Sequence, residues 1–337
     1  LCAERDLLLD VRVLLHEHSR RHRDVLEPEF AAEIAEDLGF KDRYELSAAL
    51  AKTSTTISNA VERGLSTARG LVSRRSVHRV RKPLDVDVVD EGGYITLARN
   101  ANLNDPGLIL RVAAATARTG NPVKNGVWQR LRDVPDLPAR WPRTSADDFF
   151  TVLTSPQVII EMDKFGLWER YVPEWNRIRG VLPRERNHSH TIDFHSVETV
   201  ERCAQVRTTV GRPDLLLLGA LFHDIGKGYG RPHEQVGAEM VTRMAQKLGL
   251  NLPDRMRVQT LVAEHTTLSK LAARMDPESD EARNAVLDAV HYDPLTLAML
   301  TVLTEADSKA TGPGVWNHRK AAAVHELSLR GLRMLDT

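Results

Sequence analysis

Pro213-Asp214-Leu215-Leu216-Leu217-Leu218-Gly219-Ala220-Leu221-Phe222-His223-Asp224-Ile225-Gly226-Lys227-Gly228 contains the longest uninterrupted apolar run of the chain, Leu215 to Phe222. Proline followed by an acid suits a helix N-terminus. A helix that is apolar on every side must pass through the middle of a core. It runs directly into an imidazole and a carboxylate, and burying those two groups is costly unless something satisfies both. Gly226 and Gly228 are expected to break the helix behind them, so that neighbouring side chains converge from a turn instead of diverging by about 100° around a helix.

Working outward, the same conflict recurs. His195 heads a helix whose apolar face is Val197, Val200 and Ala204, and His233 begins one with Gly237, Met240, Val241, Met244 and Leu248 inside. His265 takes the next core position after Val258, Leu261 and Val262, and Asp307 does so after Leu300, Leu303 and Thr304. A lone histidine on an apolar face is ordinarily a hydrogen-bonded core residue. Here that explanation must succeed at every one of these helices. A shared divalent cation answers all of them together, because neutral imidazole and carboxylate are its natural ligands and its charge keeps both aspartates ionised.

The rest of the chain frames this region. Nine of the 13 histidines lie after residue 187, so the chemistry is concentrated in the final 150 residues. Of 337 residues, 42 % are hydrophobic and 27 % charged, enough to build one large or two moderate domains. Forty-six basic residues balance 46 acidic ones, which argues against a protein that holds nucleic acid by its overall field. The apolar run at 215–222 is far too short to span a membrane, and no basic-then-apolar leader opens the chain. Cys2 and Cys203 are too few for a disulfide framework or a thiolate metal site, which points to the reducing cytoplasm and to nitrogen and oxygen ligands.

Residues 1–185 read as a helical bundle. Leu7, Leu8, Val11, Leu14 and Leu15 share one face, and a second helix carrying Phe30, Ile34 and Leu38 stops at Gly39. The basic stretch from Arg69 to Lys82 lacks interleaved aromatics and is expected to be a solvated helix face. Near 84–98, period-two alternation on both sides of Asp90-Glu91-Gly92-Gly93 predicts a β-hairpin, with Asp85 and Asp87 on one solvent-facing side of a strand. Pro183 and the polar run to Asn187 mark the junction with the domain at 186–337. The fold class expected is therefore mainly α.

The order His195, His223-Asp224, Asp307 resembles the metal-dependent HD phosphohydrolases, an all-helical family that gathers such ligands around one or two metal ions. His233 and His265 are similar to the extra ligands of the two-metal members. A narrower resemblance runs through Met162-Asp-Lys-Phe-Gly-Leu, Val172-Pro-Glu-Trp, His188-Ser-His-Thr-Ile-Asp-Phe-His195, Ala220-Leu-Phe-His-Asp-Ile-Gly-Lys-Gly and Glu305-Ala-Asp-Ser-Lys-Ala-Thr. These segments look like the bifunctional uridylyltransferase and uridylyl-removing enzymes, which modify the nitrogen-signalling protein PII. The opening Ala3-Glu-Arg-Asp-Leu-Leu-Leu-Asp-Val-Arg is similar to the helical linker of that family.

The resemblance implies a phosphodiester hydrolase that removes UMP, or AMP, from a tyrosine of PII. It implies one or two divalent ions, Mn²⁺ or Mg²⁺ first and Fe²⁺ or Zn²⁺ as further options, held by His195, His223, Asp224, His233, His265 and Asp307. Asp224 would bridge the ions and, with His223, belong to the catalytic set. Lys227 would steady the phosphate or the leaving group, or else be a solvated lysine in a glycine-rich turn. His188 and His190 are candidates for substrate contact. The family's Gly-Ser…Asp-x-Asp transferase motif lacks its Gly-Ser here, so the nucleotidyltransferase domain and the ligand-sensing ACT domains are expected to be missing partners. Two other readings stay open: an HD phosphohydrolase acting on a free nucleotide such as a deoxynucleoside triphosphate or an alarmone, and a non-catalytic helical module that binds PII.

Overall fold

The computed structural model describes residues 2–20, 22, 24–72, 81–183 and 190–335. The middle of the basic stretch, residues 73–80, and His188 lie outside these. The chain divides into two compact units. One comprises Leu1–Arg79 with Arg179–Ile192, and the other comprises Val80–Ile178 with Asp193–Thr337.

The first unit is helical. Helices α1 (Cys2–Ser19), α2 (Pro28–Asp37) and α3 (Arg43–Val72) close around Val11, Leu15, Ile34, Ala35 and Leu46. The expected stop of α2 at Gly39 is realised by a left-handed φ of +75° at that residue.

The second unit opens with a three-stranded antiparallel sheet, β1 (Arg81–Asp85), β2 (Val88–Glu91) and β3 (Ile95–Leu97), in the order β1-β2-β3. The expected hairpin about Asp90–Gly93 joins β2 to β3, with Asp90 opposite Ile95. A further hairpin joins β1 to β2 and corrects the placement of the two aspartates. Asp85 ends its strand and accepts a hydrogen bond from Arg118 at 3.0 Å. Asp87 lies in the turn at φ +63° and accepts the backbone N–H of Asn102 at 3.0 Å. Asn and Asp tolerate this conformation better than other non-glycine residues, and the two carboxylates do not share a strand face.

Helices α4 (Leu108–Thr119), α5 (Val127–Arg130), α6 (Arg143–Leu153), α7 (Gln157–Lys164) and α8 (Trp175–Ile178) follow. Trp168 stacks on Phe149 with ring centroids 5.7 Å apart and meets Trp175 edge-on at 6.1 Å, so bulky rings fill the space between these short elements. The remaining helices are α9 (Ile192–Gln205), α10 (Pro213–Phe222), α11 (His233–Leu248), α12 (Leu252–Glu264), α13 (Thr267–Arg274), α14 (Asp280–Ala289), α15 (Pro294–Thr311) and α16 (His318–Leu335). Leu215 to Phe222 is buried on every side, as its composition requires. Among the described residues no single helix is long and apolar enough to cross a membrane.

The N-terminal ends of α10, α12 and α15 are tied by one ionic network. Arg212 bonds Asp214 (2.8 Å) and Asp254 (2.7 Å), and Arg257 bonds Asp254 (3.2 Å) and Asp293 (2.9 Å). Asn251 caps α12 by accepting the N–H of Asp254, and Asp293 caps α15 by accepting that of Thr296. The opposite ends of α10 and α12, and the far turns of α15, carry the polar cluster described next.

Candidate metal centre

Helix α10 stops at Phe222, one residue before the doublet, so His223 sits at its C-cap and Asp224 in the following turn. The turn then packs against the start of α11. A Cβ placed on Gly226 would stand 2.2 Å from the carbonyl oxygen of His233 and 2.7 Å from the amide nitrogen of Gly237. Gly226 is thus required by close backbone approach, and the left-handed conformations fall at Gly228 and Gly230, with φ +85° and +70°. His265 likewise occupies the C-cap of α12. His195 lies in the first turn of α9, His233 opens α11, and Asp307 lies near the end of α15.

These side chains converge as two trios. In the first, His195 Nε2 lies 3.1 Å from His223 Nε2 and 3.0 Å from Asp307 Oδ1. In the second, Asp224 Oδ1 lies 3.3 Å from His233 Nε2 and 3.8 Å from His265 Nε2. Asp224 faces both: its other oxygen, Oδ2, is 3.6 Å from His195 Nε2 and 3.5 Å from His223 Nε2. The predicted ligands are therefore all brought together. His195, His223, Asp224 and His265 are buried, and Asp307 and His233 border on solvent.

The donor set suits a cation. His223 Nδ1 donates to the carbonyl of Ala220 at 2.7 Å, and His265 Nδ1 to that of Val262 at 2.8 Å. A carbonyl can only accept, so each neutral ring keeps a bare lone pair on Nε2 pointing inward. In His223 that lone pair faces the carboxylate oxygens of Asp224 and Asp307, a repulsive arrangement unless a positive charge stands between them. Ligand atoms about 2.1 Å from an ion, at angles of 90–109°, lie roughly 3.0–3.4 Å from one another. The closest separations in both trios fall in that range.

Local electrostatics point the same way. Burial pushes the Asp224 and Asp307 carboxyls up, but the surrounding imidazoles, with Lys227 beside Asp224, outweigh it and hold both well below the usual carboxylate range. Burial, then the neighbouring His223, pushes His265 down to about 4, which keeps it a neutral ligand. Burial also opposes the charged form of His223, yet Asp224 and Asp307 raise its pKa overall, an attraction for positive charge that a metal ion would satisfy in place of the proton.

Lys227 bonds Asp224 Oδ2 at 2.7 Å and is mostly buried, so it is not a free surface lysine. His190 is exposed and belongs to the other unit. The sequence reading missed Glu234, whose carboxylate lies 3.3 Å from His233 Nδ1 and 3.5 Å from Lys270, where it orients the ring from behind. Its adjacency to His233 was the available signal. A cleft of about 370 Å³ in this unit lies between Tyr171, Phe222, Tyr229 and Met240 and is lined by none of the six candidate ligands.

Residues 192–293 match the HD domain family, a span that includes every candidate ligand but Asp307. The bifunctional uridylyltransferase/uridylyl-removing enzyme of Corynebacterium glutamicum is 57 % identical over 327 residues, covering 95 % of this chain and 47 % of that relative. The same-named enzyme of Mycobacterium tuberculosis is 46 % identical over 339 residues (97 % and 42 %), and that of Streptomyces coelicolor 33 % over 352 (98 % and 42 %). The chain spans just under half the length of these relatives. With an HD domain around its candidate ligand cluster and this likeness along nearly all of its length, the chain is similar to one part of the bifunctional uridylyltransferase/uridylyl-removing enzymes.

Proposed function

We propose that this chain is the hydrolytic part of such an enzyme: a metal-dependent phosphodiesterase, residing in residues 186–337, that removes UMP, or AMP, from a tyrosine of PII. The observation that carries the reading is the position of Asp224, which turns one oxygen toward each trio. That is how a carboxylate shared between two cations is placed. A divalent cation, Mn²⁺ or Mg²⁺ in first place, supplies Lewis acidity toward water and toward a phosphoryl oxygen when bound.

The chain's own residues do the rest. His195, His223 and Asp307 define one ligand position, and His233 and His265 the other. Buried His223 and His265 are locked by their carbonyl acceptors, so little reorganisation is needed when substrate arrives. Lys227 holds Asp224 and adds positive charge where the phosphodiester anion approaches. In the reaction a water oxygen bonds to phosphorus, the bond from phosphorus to the tyrosine oxygen breaks, and the phenol regains a proton as the nucleotide leaves. His188 and His190, two histidines just ahead of His195 in the sequence, are the candidates for substrate contact.

The test is incubation of the full chain with separately uridylylated and adenylylated PII and Mn²⁺, with the released nucleotide identified by mass spectrometry. Free deoxynucleoside triphosphates and an alarmone serve as competing substrates. Metal-dependent release of UMP or AMP is expected, lost together with bound metal in His223→Ala/Asp224→Ala. Turnover of the free nucleotides alone, or equal metal content in the double variant, would refute the reading.

A further inference from the structure

We propose that Lys320 is a substrate-binding residue whose ammonium holds an anionic oxygen of the phosphodiester beside Asp307. This rests on the phosphohydrolase reading above and adds a contact that the ligand motifs do not contain.

Lys320 is placed by a rigid helix pair. Asn317 caps α16 by accepting the backbone N–H of Lys320 at 3.0 Å, which fixes Lys320 in the first turn. Helix α16 runs antiparallel to α15 in one continuous register. Gly331 packs so tightly on Leu297 that a Cβ would stand 2.7 Å from its methyl group, Ser328 hydrogen-bonds Thr301, and Lys320 Nζ donates to Ser308 Oγ at 2.8 Å. The residue numbers rise on one helix as they fall on the other, so the three contacts share one alignment. That alignment sets Lys320 level with the residue next to Asp307.

The charge there is unbalanced. Lys320 is half-buried, and an ammonium has three N–H groups to satisfy. Ser308 takes one, and no carboxylate forms an ion pair with Lys320 among the described residues. The other lysines nearby are paired, Lys227 with Asp224 and Lys309 with Glu305. Burial lowers the affinity of Lys320 for its proton, and the negative charge of Asp307 pulls it back. Asp307 offsets that burial only in part, so the half-buried ammonium is left short of negative charge. An anion that arrives at the metal centre supplies what is missing, and a phosphodiester brings a negative oxygen to that place. Lys227 on the Asp224 side and Lys320 on the Asp307 side then orient the group between them.

The test uses the full chain loaded with Mn²⁺, and inorganic phosphate and UMP as probes in titration calorimetry, with metal content and melting temperature measured in parallel. Lys320→Gln removes the charge and keeps a polar side chain. Phosphate and UMP should bind it about tenfold more weakly or worse at unchanged metal content, and Lys320→Arg should restore most of the affinity. Lys320→Met, which drops the Ser308 bond as well, should show the same loss of binding. Unchanged phosphate affinity in Lys320→Gln, or loss of metal from it, would overturn the proposal and make Lys320 a support for α16. If the wild-type chain binds phosphate through Lys320 yet releases no nucleotide from modified PII, the function reading fails while this inference stands. Release that is indifferent to Lys320 gives the reverse.

Discussion

Gly226→Ala tests whether the centre depends on a backbone contact. The added methyl would stand 2.2 Å from the carbonyl oxygen of His233, 2.7 Å from the amide of Gly237 and 3.0 Å from the carbonyl carbon of His233. All three are main-chain atoms, so no side chain can swing aside. Ordinary contact is restored only if the turn and the first residues of α11 separate by roughly 1 Å, a strain of the kind that costs about 1–3 kcal/mol. For a domain of this size that lowers the melting temperature by about 2–12 °C. Metal–ligand distances tolerate only about 0.2 Å, so His233 would no longer reach an ion that Asp224 and His265 hold, while His195, His223 and Asp307, held by other elements, remain. The expected outcome is a folded protein by circular dichroism that keeps about one metal equivalent by elemental analysis and has lost most of its hydrolysis. Wild-type metal content together with a melting temperature within 1 °C of the parent would refute the reasoning.

Three further outcomes follow from the same geometry. His233→Ala or His265→Ala should leave roughly one metal equivalent and cut hydrolysis about a hundredfold or more, because half the charge stabilisation is gone; near-normal turnover in both would indicate a single-ion site. Asp293→Ala removes a helix cap and an Arg257 partner and should cost about 1–2 kcal/mol in denaturant titrations near pH 7. Burial raises the pKa of that carboxyl, but Arg257 and Thr296 lower it overall, so the wild-type advantage should persist above about pH 4 and vanish as pH falls further. Incubation of unmodified PII with UTP should give no mass gain, since Asp85 is bonded to Arg118 and Asp87 is committed to a turn; addition of a nucleotidyl group would contradict that assignment.

The candidate ligands are legible in sequence because each breaks an otherwise apolar stripe, and a buried imidazole or carboxylate is conspicuous against such a background. Gly226 and Gly228 suggest a helix end about three residues too late: α10 stops at Phe222, and Gly226 serves close packing. Period-two alternation found the β2–β3 turn but not the β1–β2 turn, which uses Val86 and Asp87 in place of a glycine pair. Lys320 was invisible for a different reason. Its neighbour Ser308 is a contact between two helices, and the register of one helix against another is set by packing that no local pattern encodes.

The ionic tie at the starts of α10, α12 and α15 turns these helices into fixed-length struts. His265 lies fourteen positions beyond the cap Asn251, and Asp307 fourteen beyond the cap Asp293, about 21 Å in each case. Inserting one residue within either span would advance the ligand by about 1.5 Å and rotate it by about 100°, taking it out of the centre. Seven inserted residues would nearly restore its bearing but leave it about 10 Å too far along. Length variation compatible with this centre is therefore confined to the loops between the struts, and chimeras or circular permutants that open the chain there keep the spacing intact.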